Sequence, residues 1–184
     1  MKNQARVVVV GGGVVGVATL YQLARMGWTD VVLLERNELT SGSTWHAAGL
    51  LPLFNMSYSV GQVHKHSVAL YKELETETGQ AVGFSQVSNI RLATNWDRMD
   101  EYHQYAGVAR TIGIEVNFLK PEEVKEIWPL CNIDGLVGAI QHPGDGYIQP
   151  ADLTQALAIG ARNRGAEINR GITVEGFERQ LSGE

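Results

Sequence analysis

The stretch Gly11-Gly12-Gly13-Val14-Val15-Gly16, directly after the β-branched run Val7 to Val10, leaves this chain few ways to fold. It matches G-x-G-x-x-G, whose glycines permit a tight turn, let backbone approach a pyrophosphate, and let a helix pack closely on a strand. Val7 to Val10 predicts a strand buried on both faces. From Val14 to Met26 the apolar residues Val14, Val17, Ala18, Tyr21, Leu23 and Ala24 recur at helical spacing, and Gly27 supplies the C-terminal stop. Val31 to Leu34 predicts a second buried strand. Strand, helix and strand within about 30 residues make a βαβ unit, a parallel pair with a right-handed crossover. The amides opening the helix face an anion. Glu35, about 20 residues past the glycines, is placed to accept hydrogen bonds from ribose hydroxyls, and its charge repels a 2′-phosphate. An adenine dinucleotide is implied, with NADP disfavoured and NAD and FAD both still open.

Composition narrows the class. With 44% hydrophobic and 19% charged residues the chain is of globular type, which removes disordered and fibrous readings. A net charge of -5, without any block of Lys and Arg, argues against nucleic acid and anionic lipid as partners. Cys131 is the only cysteine, so neither an internal disulfide nor a metal site on paired cysteines is expected. A reducing compartment follows. Lys2 and Arg6 before the apolar run Val7 to Leu20 imitate a secretory signal, but Gly11, Gly12, Gly13 and Gly16 weaken that helix. The run also falls short of the roughly 18 residues of a membrane span.

Beyond residue 50 the texture changes. Ser57 to Thr78 predicts an amphipathic helix with Val63, Ser67, Leu70, Tyr71 and Leu74 on one side. Asn89 to Thr94 alternates as a half-buried antiparallel strand. A helix near Trp96 to Ile112, a strand at Val116 to Leu119 and a Pro121-led helix to Ile127 follow, the last closed by Trp128-Pro129. Leu136 to Gln141 reads as a strand and His142-Pro143-Gly144-Asp145-Gly146 as a turn. Asp152 is expected to cap a helix over Leu153 to Asn163, ended by Gly165. Ala166 to Asn169 and Ile172 to Phe177 read as two short strands. His64 and His66 fall on opposite sides of their helix and so hold no common metal; solvent exposure is expected for both and for His103. For His142 and Tyr147 a structural role beside the turn outweighs a place at a binding pocket. No metal site is expected.

The choice between NAD and FAD rests on Thr40-Ser41-Gly42-Ser43-Thr44-Trp45-His46-Ala47-Ala48-Gly49. This run resembles the second flavin-contacting segment of the glutathione-reductase-like amine oxidoreductases of the D-amino-acid-oxidase type, in particular the dimethylglycine and sarcosine dehydrogenases. The resemblance extends to Val82-Gly83-Phe84, Ile90-Arg91-Leu92-Ala93-Thr94, Trp128-Pro129-Leu130 and Pro143-Gly144-Asp145-Gly146, nearly the whole chain. It implies a doubly wound, Rossmann-like FAD-binding domain with an inserted α+β substrate-domain portion. Residues 1–55 and 150–184 would form the FAD-binding part, incomplete, and 56–149 the helical connection and part of the substrate sheet. The expected chain is the N-terminal portion of a longer enzyme, poorly stable by itself.

On this resemblance the cofactor is FAD, and the expected binding residues are Gly11, Gly13, Val14, Val15, Gly16, Glu35, Arg36, Gly42, Ser43, Thr44, Trp45 and His46. Ser43 or Thr44 hydroxyls and the amide after Gly42 can hold pyrophosphate or ribityl oxygens. A histidine at the place of His46 is joined covalently to the flavin in the family, and imidazole has the nucleophilicity for it. The implied reaction oxidises an N-methylated amino acid by hydride transfer to the flavin, and the resulting iminium hydrolyses to demethylated amine and formaldehyde. No catalytic acid or base is assigned. The implied partners are a small N-methylated amine and an electron acceptor, oxygen or an electron-transfer flavoprotein, with no nucleic acid and no membrane. The implied location is the cytoplasm, or the mitochondrial matrix for a eukaryotic parent. Alternatives are another amine or amino-acid oxidase of the superfamily, a non-catalytic regulatory relative, and, more weakly, an NAD-dependent dehydrogenase.

Overall fold

The structure, a computed structural model, describes residues 4–179. It divides into two compact units. The first takes the chain up to Ala48, Leu74–Val82, and the chain from Gln149; the second takes Gly49–Glu73 and Gly83–Ile148. The expected boundary at 55/56 therefore moves to 48/49, and Leu74–Val82 joins the first unit, because the end of one helix packs there.

In the first unit β1 (Val7–Val10), β2 (Val31–Glu35) and β9 (Glu167–Arg170) form a parallel sheet in the order β1-β2-β9, with Val7 opposite Val31 and Val32 opposite Glu167. The central place of β2 explains its apolar run: Val31, Val32 and Leu33 are all buried. Helix α1 (Val14–Arg25) buries Val17, Leu20 and Tyr21, and it packs on α5 (Pro150–Asn163) at Gly160, where an added Cβ would come within 2.7 Å of the Tyr21 ring. The Tyr21 hydroxyl donates to Glu77 at 2.7 Å and Arg164 reaches the same carboxylate at 2.5 Å. These bonds tie Leu74–Val82 to the first unit.

Two sequence expectations are corrected here. Helix α5 starts at Pro150 rather than Leu153; Gln149 is its N-cap and Asp152 lies in the first turn, without capping. A proline suits the first helical position, since its missing N–H would have no partner there. Ile172–Phe177 forms no strand; the segment leaves the sheet after Arg170, and its Ile172 amide donates to Glu35 O at 2.9 Å.

The second unit holds two antiparallel sheets. One joins β5 (Asn89–Ala93), β7 (Gly138–His142) and β6 (Asn117–Leu119) in the order β5-β7-β6; a smaller one joins β3 (Leu50–Leu51), β8 (Gly146–Tyr147) and β4 (Ser85–Gln86) in the order β3-β8-β4. The expected bounds of these strands shift by one or two residues, and the smaller sheet went unforeseen because two-residue strands carry no periodicity. Helices α2 (Tyr58–Thr78), α3 (Trp96–Ile112) and α4 (Pro121–Ile127) complete the set. Directly opposed antiparallel residues share a face. Ile90, Leu92, Leu119 and Ala139 pack with Val124 of α4 and Cys131. Arg91, Ala93, Ile140 and His142 take the opposite face, where Ala93 and Ile140 join Met99, Tyr102 and Tyr105 of α3.

That second face carries an unusual polar load. His142 is 0% exposed, with its ring between Phe54 and Tyr105, and the Arg91 guanidinium lies 4.3 Å over the Phe54 ring. Asp145, 1% exposed, accepts from the Leu53 amide at 2.9 Å, while the Tyr105 hydroxyl donates to Leu53 O at 3.1 Å. Burial, helped by the Arg91 charge, lowers His142 to about 4. Burial raises Asp145 to about 6, against the opposing pull of the Leu53 amide and Arg91.

These shifts predict a pH signature. The carboxyl binds its proton more tightly when folded, so its contribution to stability falls between the unfolded 3.8 and the folded value near 6. The imidazole binds its proton more weakly when folded, so its contribution rises from about 4 to 6.5. In the native sequence the two slopes oppose. Asp145→Asn is expected to leave only the rise, about 3 kcal/mol across that window, and His142→Phe only the fall. Urea unfolding at a series of pH values checks this, and slopes of the same sign in both variants would contradict it.

Candidate dinucleotide site

Glycines shape the end of β1. Gly11 has φ +106°, a conformation that side chains oppose, and its amide donates to Leu34 O at 2.9 Å. A Cβ on Gly16 would overlap the Gly11 carbonyl oxygen, so this glycine lets α1 start tight against the turn. At Gly12 a Cβ would meet Leu39 Cδ2 at 2.6 Å and Glu35 Cγ at 2.9 Å.

The returning segment docks on this turn. Thr40, itself at φ +73°, donates its amide to Gly12 O at 3.0 Å. A 3₁₀ turn, Ser43–His46, follows, in which Thr44 is buried and its Oγ1 accepts from the Val14 amide at 2.9 Å. Helix α1 receives no side-chain cap from its own N-cap Gly13, so Thr44 supplies one from thirty residues away. Its hydroxyl proton remains to donate. Glu35, 9% exposed, accepts from the Gly12 amide at 2.6 Å through one oxygen and from the Asn37 amide at 2.7 Å through the other. Both oxygens keep a lone pair for a further donor.

Nine of the expected residues meet around one cleft of about 550 Å³: Gly11, Gly13, Val14, Val15, Glu35, Arg36, Gly42, Ser43 and Thr44. Gly16 lies behind the turn, acting through packing. Trp45 and His46 do not line the cleft; Trp45 is 62% exposed, with its ring 4.6 Å from that of His46. Sequence reasoning missed Asn37, Ser41 and Ala47, which line the same cleft. It also missed Ile172, Thr173 and Val174, which with Gly11, Glu35 and Arg36 line an adjoining cleft of about 270 Å³. The spacing of the fingerprint could not show these, because they arrive from chain far beyond it.

Of the other candidates, His142 sits in the core of the second unit and Tyr147 is half-exposed on β8. His103 contacts Met99 O and stacks on Phe118. Contrary to the expectation of exposure, Nδ1 of His64 is buried. Among the described residues no group of three or more His, Cys, Asp and Glu could hold a metal, and no helix is long and apolar enough to cross a membrane.

The cleft fits a dinucleotide. Its floor is glycine backbone without a side chain across it, the first turn of α1 borders it, and a buried carboxylate stands at its rim. The family model for FAD dependent oxidoreductases matches residues 6–184. The chain belongs to that family. Its cofactor is accordingly FAD. The chain is 47% identical to the mitochondrial dimethylglycine dehydrogenase of Rattus norvegicus over 164 residues, 89% of this chain and 19% of that protein. It is 40% identical to the mitochondrial sarcosine dehydrogenase of Homo sapiens over 178 residues, 96% of this chain and again 19% of the relative. The chain thus spans about a fifth of the length of these relatives. Among solved structures, L-proline dehydrogenase from P. horikoshii superposes with a TM-score of 0.91 at 29% identity, covering 98% of this chain and 48% of that one.

Proposed function

We propose that the chain is the cofactor-holding portion of an enzyme that oxidises a small N-methylated amino acid of the dimethylglycine or sarcosine kind. The observation that carries this reading is the single cleft in which the glycine turn, the opening of α1, Thr44 and Glu35 meet, in a chain of this family with those relatives. Bound there, FAD supplies a two-electron acceptor for oxidation of a C–H bond next to nitrogen.

The residues divide the work of holding it. Gly13, Val14 and Val15 present the positive end of α1 to the pyrophosphate. Thr44 and Ser43 offer hydroxyl donors, and Glu35 accepts from the ribose hydroxyls. Arg36 with Ile172, Thr173 and Val174 lines the adjoining cleft and would border the adenosine end of a bound FAD. His46 follows on the same 3₁₀ turn and is the nucleophile for covalent attachment. On this reading the first compact unit is the FAD-holding part, residues 49–73 and 83–148 are the substrate portion, and the acceptor is oxygen or an electron-transfer flavoprotein.

Anaerobic mixing of the yellow holoprotein with dimethylglycine or sarcosine tests the reading: bleaching of the flavin band is expected with one of them. A flavin that bleaches only with unmethylated amino acids would move the assignment to another amine oxidase. A protein without flavin would favour a regulatory relative. In a His46→Ala background, where the flavin is free to exchange, Glu35→Ala is expected to weaken FAD binding about tenfold to a hundredfold by removing a charged acceptor, as read by equilibrium dialysis.

A further inference from the structure

A nucleophile that must meet one carbon of a bound flavin needs a backbone held still, and the turn that carries His46 is a weak element by itself. Ser43–His46 is a single 3₁₀ turn without a side-chain cap, and 3₁₀ hydrogen bonds are poorer in geometry than those of an α-helix. Ser43, Trp45, His46 and Ala47 are exposed, whereas Thr44 among them is only 7% exposed. We propose that Thr44 is the positioning residue for attachment of the flavin at His46: its hydroxyl bolts the turn to the N-terminus of α1, so that the imidazole is presented from a fixed place. The inference rests on the reading of His46 as the nucleophile, and adds a residue that acts through His46.

The bolt joins the turn to a packed support. Thr44 Oγ1 accepts from the Val14 amide at 2.9 Å. Val14 opens α1, where the first amides have no partner within the helix, so the bond satisfies a donor as it fastens the turn. Gly13 makes room for it, since a Cβ there would come within 3.1 Å of Thr44 Oγ1. Val17, Leu20 and Tyr21 of α1 are fully buried, which fixes the helix itself. A second tie precedes the turn: the Thr40 amide donates to Gly12 O at 3.0 Å, and Thr40 O accepts from the Trp45 amide at 3.3 Å. The turn also lies beside α5, so packing and hydrogen bonding at Thr44 have to be told apart.

Attachment joins an imidazole nitrogen to the carbon of the flavin's ring methyl group. That carbon loses one hydrogen and the imidazole nitrogen loses its own; the two protons and the electron pair pass to dissolved oxygen, which leaves as hydrogen peroxide. Thr44 supplies none of these atoms. Its contribution is placement, and a misplacement of about 1 Å costs about a hundredfold in rate.

The test uses the whole enzyme, prepared as apoprotein from riboflavin-starved cells. After FAD is added at a series of concentrations, attachment is followed by the flavin absorbance that stays in the acid-precipitated pellet. Thr44→Val keeps the branched shape and its packing but removes the hydroxyl, and its attachment rate at saturating FAD is expected to fall about tenfold to a hundredfold. Thr44→Ser keeps the hydroxyl and is expected to stay within about threefold of the native rate. Val124→Ala, a buried change in the second unit away from the turn and the cleft, controls for lost stability and is expected to attach at the native rate once FAD saturates. A native rate at saturating FAD in Thr44→Val, with the loss confined to the FAD concentration required, overturns the proposal and leaves His46 as the nucleophile. A fall in Val124→Ala as large as in Thr44→Val also overturns it. So does a fall of about tenfold or more in Thr44→Ser, which decides by itself should Thr44→Val fail to fold. A native enzyme whose flavin never enters the pellet overturns the proposal together with the reading of His46.

Discussion

In a His46→Ala background, where no covalent bond retains the flavin, Gly16→Ala is expected to weaken FAD binding about a hundredfold. A Cβ at this position lands on the carbonyl oxygen of Gly11, a backbone atom that cannot swing aside, so the clash is relieved only by moving α1 away from the turn. Such overpacking costs about 3 kcal/mol, and if the displaced helix end meets the pyrophosphate less well by that amount, affinity falls about a hundredfold. Gly107 provides the control. It lies within α3, an added Cβ meets nothing within 4 Å, and its φ is not positive. Gly107→Ala is expected to raise stability by about 0.5–1 kcal/mol with FAD binding unchanged. Thermal unfolding and equilibrium dialysis on the two variants, each made in the His46→Ala protein, read both effects, and equal FAD affinity with and without Gly16→Ala would contradict the close-approach account.

His46→Ala is expected to convert a tightly retained flavin into a releasable one. When the native holoprotein is precipitated with acid, the yellow colour stays with the pellet if imidazole and flavin share a covalent bond; in the variant it passes to the supernatant. Because His46 does not line the cleft formed by the glycine turn, the variant is expected to keep noncovalent FAD binding in neutral buffer. The two readouts together separate attachment from binding. A colourless native pellet removes His46 from the role, and a coloured variant pellet moves the bond to another residue.

Much of the first unit could be read ahead of the structure, for a physical reason. Val31–Leu34 is an uninterrupted apolar run because β2 lies at the centre of a parallel sheet, whereas Val7–Val10, expected to be buried on both faces, forms the edge of the described sheet and leaves Val8 and Val10 half exposed; Gly16 is demanded by a backbone contact that no other residue allows. The place of Glu35 at the end of β2, beside the glycine turn, was legible from its spacing, although its bonds to Gly12 and Asn37 were not. Ile172–Phe177 misled, since alternating apolar residues promise a strand only when a partner edge is available; here the segment borders a cleft. The start of α5 was misplaced because an acidic residue after Pro150 resembles a cap, although a proline already favours the first helical position. His142 and Asp145 looked like ordinary turn residues. Only the tertiary fold shows them buried, with Asp145 clamping Leu53.

The central claim is that the glycine turn, Thr44 and Glu35 form the seat of the FAD pyrophosphate and ribose, and a crystal structure of the FAD-loaded protein tests it most directly. Density for the two phosphates against the amides of Gly13, Val14 and Val15, with the ribose hydroxyls on Glu35, is the predicted result. Phosphates lying elsewhere, or a Glu35 carboxylate still bonded only to Gly12 and Asn37 with no ribose in reach, would contradict it.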